Sequence, residues 1–198
     1  MYNYEIKSKE KLIEQVASQE VLKEIALNDE DFEVRKTAVE KLTDEECLKE
    51  VALNAKYLDI RITAVEKLKD EEVLKKIALN DGDWYIRQKA LEKLTDEEVL
   101  KEVALKSGDS DVRFEAVAKL TDEEVLKEVV LNDEYLCVRK KAVEKINNEN
   151  LLIELASEVS DESLIVEIIQ KLSKDKIREL KFDNWYLNAI CLDILDNQ

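Results

Sequence analysis

Between residues 45 and 54, apolar residues fall at Cys47, Leu48, Val51 and Ala52 along one side, while Glu45, Glu46, Lys49 and Glu50 take the other side. A spacing of i, i+1, i+4, i+5 is one face of a helix, not the alternation of a strand. A second pattern runs over about 32–42: Val34, Ala38, Val39 and Leu42 form an apolar stripe, and Glu33, Lys36, Thr37 and Glu40 point away. Thr43-Asp44-Glu45-Glu46 reads as a capping box that starts the first kind of helix, and Thr95 with Glu98 and Thr121 with Glu124 repeat it. Asp44 and Glu45 add negative charge at the positive end of the dipole, and Glu45 with Lys49 makes an i, i+4 pair. Asp31, Asp83 and Asp109 are expected to cap the second kind of helix. Gly82 and Gly108 share one loop slot, where a left-handed residue is expected; Asn28, Asn54, Asn80 and Asn132 are candidates for that role elsewhere.

The two patterns alternate because the chain is an internal repeat. Arg35, Arg61, Arg87, Arg113 and Arg139 each lie 26 residues after the last, with VRKTAVEKL, IRITAVEKL, IRQKALEKL, VRFEAVAKL and VRKKAVEKI around them. QEVLKEIALND at 19–29 is a further first half and ESLIVEIIQKL at 162–172 a further second half, with Ile165 in the arginine slot. DNWYLNAICLDIL at 183–195 echoes GDWYIRQKALEKL at 82–94 and places Asn188 in that slot. The expected organisation is one domain: 1–30 as an N-terminal cap, 31–146 as regular 26-residue repeats, and 147–198 as degenerate repeats and a C-terminal cap. Helices of about ten residues are marginal alone, since isolated helices below ~12–15 residues seldom hold in water. Stacking about seven such pairs covers their apolar sides and leaves only the ends open.

Composition narrows the function classes. Thirty-one basic against 47 acidic residues leave a formal charge of −16, which repels phosphate backbones and favours basic proteins as partners over nucleic acid. Without histidine the chain lacks the commonest general base and metal ligand. Cys47, Cys137 and Cys191 form no C-x-x-C pair and fit a reducing compartment; Cys47 and Cys191 read as core, Cys137 as exposed. No apolar run suggests a signal peptide or a bilayer span, so a cytoplasmic protein without membrane partner, cofactor or metal is expected.

The element D-x-x-x-x-x-R, carried by Asp29–Arg35, Asp81–Arg87 and Asp133–Arg139, resembles the HEAT repeat family and, less closely, the leucine-rich-variant repeats. Ala55 and Ser107 interrupt the aspartate series. The resemblance covers nearly the whole chain, with repeats shorter than typical HEAT units. It implies an all-α, right-handed α-solenoid of about seven short two-helix repeats, with the VR-x-x-A helix lining a concave side and protein binding as the usual role.

The arginine column reads as structural: stems along the core and guanidinium groups on helix-end carbonyls or aspartates. Variation is concentrated on the second helices instead, in the slots Glu33, Asp59, Tyr85, Asp111, Cys137 and Lys36, Ile62, Gln88, Phe114, Lys140. The expected function is a non-enzymatic scaffold whose variable face, centred on Ile62, Tyr85, Gln88 and Phe114 with Lys36 and Lys140 toward either side, grips a protein or peptide. Exposed Ile62 and Phe114 beside Tyr85 would form an apolar anchor cluster. Trp84, which shares a slot with Phe32, Leu58, Leu136 and Trp185, is expected to pack inside. Two alternatives stand beside this. One is a HEAT-like enzyme or enzyme-associated subunit, of the bilin-lyase or DNA-glycosylase kind; the acidic charge weighs against the glycosylase. The other is a self-assembling protein whose apolar segment KFDNWYLNAICLDIL caps the stack or forms a dimer, although a monomer is favoured.

Overall fold

A computed structural model of the chain describes residues 11, 13, 15, 16 and 18–196. Among them are fourteen helices and no strand. In chain order these are α1 Gln19–Asn28, α2 Phe32–Lys41, α3 Glu45–Asn54, α4 Leu58–Lys67, α5 Glu71–Asn80, α6 Trp84–Lys93, α7 Glu97–Lys106, α8 Ser110–Lys119, α9 Glu123–Asn132, α10 Leu136–Lys145, α11 Glu149–Glu158, α12 Glu162–Lys171, α13 Lys174–Glu179 and α14 Trp185–Asp196. Odd-numbered helices are the first of each repeat and even-numbered helices the second. The 26-residue period holds through α12, one repeat beyond the last arginine, before α13 and α14 shorten it.

The chain divides into two compact bodies, Met1–Val99 and Leu100–Gln198. In the first, α1–α2, α3–α4 and α5–α6 pack as pairs, and α2, α4 and α6 pack one on the next. In the second, α9–α10, α11–α12 and α13–α14 pack as pairs, and α8, α10, α12 and α14 follow in contact. Helices packed in successive adjacent pairs are the local arrangement of an α-solenoid. The core is the expected one: Val34, Ala38, Val39 and Leu42 of one repeat, and Cys47, Leu48, Val51 and Ala52 of the next helix, are all buried.

Helix starts follow the local polar chemistry. Asp31, Asp83 and Asp109 cap α2, α6 and α8 as expected, each accepting from the amide two residues on. The first helices differ from expectation by one residue. Asp44, not Thr43, is the N-cap of α3, accepting from the Cys47 amide at 3.0 Å. Asp70, Asp96, Asp122 and Asn148 do the same for α5, α7, α9 and α11. A carboxylate is at least as good a cap as a hydroxyl and brings its charge to the dipole, so aspartate wins the position. The ion pair on α3 is Glu46–Lys49, at 3.7 Å, rather than Glu45–Lys49.

The glycine expectation is overturned. No described residue, glycine or otherwise, has a positive φ, and an added Cβ at Gly82 or Gly108 meets nothing within 4 Å. The helices leave through extended residues such as Asp29, Ala55 and Asp81. Asn28, Asn54, Asn80 and Asn132 are the last helical residues; Asn80 and Asn132 donate to carbonyls one turn back.

Candidate functional site

The residues that recur most faithfully prove to be braces between repeats. The residue opening a first helix reaches the next repeat's loop in α1, α3, α5, α9 and α11. Gln19 accepts from the Thr43 and Asp44 amides, Glu45 from Lys69 and Asp70, Glu71 from Thr95, Glu123 from Asn147 and Asn148, and Glu149 from Ser173. This explains Thr95, whose hydroxyl donates to Glu71 Oε1 at 2.7 Å instead of capping its own helix. The lysine closing several of the second helices reaches backward: Lys93 donates to the Glu66 carbonyl at 2.6 Å, and Lys67 and Lys171 to those of Glu40 and Glu144. Cations at these carbonyls meet the negative ends of the preceding helices.

Four arginines of the column bind backbone carbonyls, and Arg61 bonds an aspartate carboxylate. Arg35 Nη1 donates to the carbonyls of Asp29 and Glu30 at 2.8 and 2.9 Å, Arg87 Nη1 to Asp81 at 2.8 Å, and Arg113 Nη1 to Ser107 at 2.9 Å. Arg139 departs, giving Nε to the Val130 carbonyl at 2.7 Å. In Asp29–Arg35 and Asp81–Arg87 the Asp–Arg element is therefore satisfied through the aspartate backbone, whereas in Asp133–Arg139 the arginine takes the Val130 carbonyl instead. The carboxylates do other work. Asp29, Asp81 and Asp133 each accept from the amide two residues on, which fixes the loop. Asp81 also takes Arg61 of the preceding repeat at 3.3 Å, and Asp133 takes Arg113 by two bonds of 2.7 and 3.1 Å. That forked pair raises the Arg113 pKa above its ordinary value against the opposing effect of burial. For Arg35 the equivalent position, 55, is alanine and offers no carboxylate; its guanidinium lies over the Tyr57 ring, 3.6 Å from the centroid. Tyr57 and Tyr135 stand where aspartate caps other second helices, and neither makes a side-chain cap bond. Tyr135 likewise lies under Arg113 at 5.4 Å.

Other first-helix charges are paired across repeats. Lys23 bridges Glu20 at 2.6 Å and Glu50 at 2.8 Å, which raises its pKa, and Lys127 meets Glu154 at 2.5 Å. Beside Lys23, the buried Cys47 thiol is pushed up to about 12, first by burial and then by hydrogen bonding to Asp44 and Glu20. Cys191 is buried as expected, and Cys137 is exposed. The described residues bring together no group of three or more His, Cys, Asp or Glu able to hold a metal ion, and none of their helices is long and apolar enough to cross a membrane.

The variable slots are placed on the second helices as expected, with two corrections of exposure. In the first body Lys36 and Tyr85 are exposed, whereas Ile62 and Gln88 are half-buried. Lys36, Ile62 and Gln88 occupy one register on the adjacent helices α2, α4 and α6. In the second body Phe114 is half-buried beneath Lys141, whose Nζ is 5.1 Å from the ring, and Lys140 is half-buried and paired with Glu167 at 3.3 Å. Ile62 and Phe114 are therefore not exposed anchors.

The larger correction concerns Trp84. It is not packed inside: it is 64% exposed, and Phe32 and Leu58 in the same slot are 44% and 40% exposed. Trp84 meets Tyr85 edge to face, with centroids 5.7 Å apart. Phe32, Leu58 and Trp84 each open a second helix, and those helices pack in succession, so the first body carries a row of exposed apolar side chains along one edge. Each lies one helical turn from Lys36, Ile62 or Gln88, so the row and the variable slots form one surface. The signal was available. Position 32 lies beyond the Val34–Ala38–Val39–Leu42 stripe, and Ser110 takes its place without a buried polar cost.

No protein-family model and no curated protein matches the chain.

Proposed function

We propose that the chain is a non-enzymatic protein- or peptide-binding scaffold, a HEAT-like repeat whose binding face is made by its second helices. The observation that carries this is the apolar row Phe32, Leu58 and Trp84, joined by Tyr85, on a surface where the recurrent charges are otherwise engaged in braces. Each of these side chains costs free energy while it faces water, and several aligned on adjacent helices make a contiguous anchor for an apolar partner segment. Glu30, Glu33 and Asp59 are exposed beside the row, so a partner carrying basic residues among its apolar ones fits best. The known protein-binding use of short helical repeats supports the same reading.

The test is selection from a displayed random-peptide library against the native protein, followed by titration of the recovered sequences. Trp84→Asp is expected to weaken them by at least ~10-fold, as loss of a central aromatic anchor does, and Glu72→Lys on the first-helix side to change little. Recovered peptides indifferent to Trp84→Asp, or selective enrichment of none, contradict the reading.

A further inference from the structure

Phe32, Leu58 and Trp84 are the first residues of α2, α4 and α6, and these helices pack in succession within one body. Packed helix axes lie about 8–10 Å apart, so the row offers one apolar anchor per step of about that length. The step discriminates between conformations of a bound segment. A β-strand returns a side chain to the same face every ~6.7 Å, and two such steps overshoot at ~13 Å. A polyproline II segment has three residues per turn and rises ~3.1 Å per residue, so every third residue faces the same way at ~9.3 Å. An α-helix covers ~10.5 Å in seven residues, but it is a cylinder ~10–12 Å wide that lies in a groove. The row is a single file at the helix starts, which suits a narrow chain better than a cylinder.

Three further observations point the same way. Trp84 and Tyr85 stand edge to face at 78°, which presents two differently turned aromatic rings to a proline. Helix α4, the middle one, begins after Tyr57 with no side-chain cap bond, so its first-turn amides can take a carbonyl. A polyproline II backbone has no internal hydrogen bonds and offers its carbonyls; a helix does not. The bordering charge is negative on balance: Glu30, Asp31, Glu33, Asp59 and Asp83 outnumber Lys36 and Lys56, and Lys89 near Tyr85 is paired with Glu92.

We infer that the segment received by this surface is a left-handed polyproline II stretch of about seven residues. Its apolar side chains fall at every third position, one for each anchor, with a proline against Trp84 and Tyr85 and lysine or arginine between. This rests on the binding role proposed above and adds to it the partner's conformation and spacing.

The test is fluorescence anisotropy of labelled peptides titrated with the full chain up to about 1 mM. The peptide LKALKAPKA carries the three-residue period, and LKLKPKAAA has the same composition with a two-residue period. A helical peptide with leucines seven residues apart carries the third geometry. LKALKAPKA is expected to bind at least ~10-fold tighter than either, and Leu58→Asp and Trp84→Asp each to weaken it at least ~10-fold. Both side chains are exposed, so far-UV helicity should not change. LEALEAPEA is expected to bind at least ~10-fold more weakly than LKALKAPKA, and equal binding overturns the basic positions of the segment. Equal or tighter binding of the two-residue or helical peptide, with loss in Trp84→Asp, overturns this inference and leaves the binding role standing. Binding of LKALKAPKA that is indifferent to both variants overturns the two together. No binding of LKALKAPKA up to that limit overturns the inference, and the library selection then judges the binding role by itself.

Discussion

The repeat of α5 and α6 and the last repeat of α13 and α14 share a text, GDWYIRQKALEKL against DNWYLNAICLDIL, and use it in different ways. Trp84 and Trp185 open both second helices and are exposed in both, each edge to face with its tyrosine. Arg87 gives a bond to the carbonyl six residues back; Asn188, a much shorter side chain, gives Nδ2 to the Phe182 carbonyl at the same offset and at 2.6 Å. The polar task survives a change of residue because one donor satisfies it. The apolar task does not transfer: Leu91 is buried and Leu192 is open. What a position does therefore depends on its packing. Letters alone do not decide it.

The sharpest way to break this comparison is to truncate the two leucines. Leu91→Ala should cost ~2–5 kcal/mol by thermal or denaturant unfolding, as buried leucine truncations do, and Leu192→Ala less than ~0.5 kcal/mol in dilute solution. Equal costs would mean that Leu192 is buried in the free chain. A smaller contrast separates two arginines of one column. Arg113→Ala removes a forked pair with Asp133 and strands that carboxylate, which is only 6% exposed, so ~3 kcal/mol is expected. Arg61→Ala removes a single contact of 3.3 Å from a more exposed side chain and should cost ~1 kcal/mol. Denaturant midpoints in the reverse order would refute the pairing described. Capping gives a third step: Asp44→Ala should lower stability by ~1 kcal/mol and Thr43→Ala by less than half of that, because Asp44 holds the helix amide. A larger loss from Thr43→Ala would restore the capping box. Least of all, Gly82→Ala and Gly108→Ala should be neutral or stabilise by up to ~1 kcal/mol, since their backbones suit an L residue and open space surrounds them. Clear destabilisation at either position would contradict their geometry.

These contrasts also mark what the sequence could tell. Helix pairs, their period, the aspartate caps of α2, α6 and α8 and the buried stripes were legible, because each depends on contacts within a dozen residues. The braces were not. Glu45 answers amides 24 and 25 residues on, Lys93 a carbonyl 27 residues back, and Asp133 an arginine 20 residues back. Those partners belong to the neighbouring repeat, and residue periodicity within a helix carries no trace of them. The first-helix caps fall one residue later than the threonine pattern predicts, because threonine and aspartate stand side by side and both can cap, aspartate better. The slot of Trp84 is apolar in most repeats, which by itself predicts a core residue. Position explains the outcome instead: the first residue of a helix, beyond the buried stripe, has no neighbour over it.

In the proposed function the recurrent charges hold the repeats together and the apolar row at the start of the second helices receives a partner. Hydrogen–deuterium exchange with and without a peptide recovered from the library tests it most directly. New protection is expected over residues 31–36, 57–62 and 83–88, with α1, α3 and α5 unchanged. Protection confined to those first helices, with none at Phe32, Leu58 or Trp84, would contradict it.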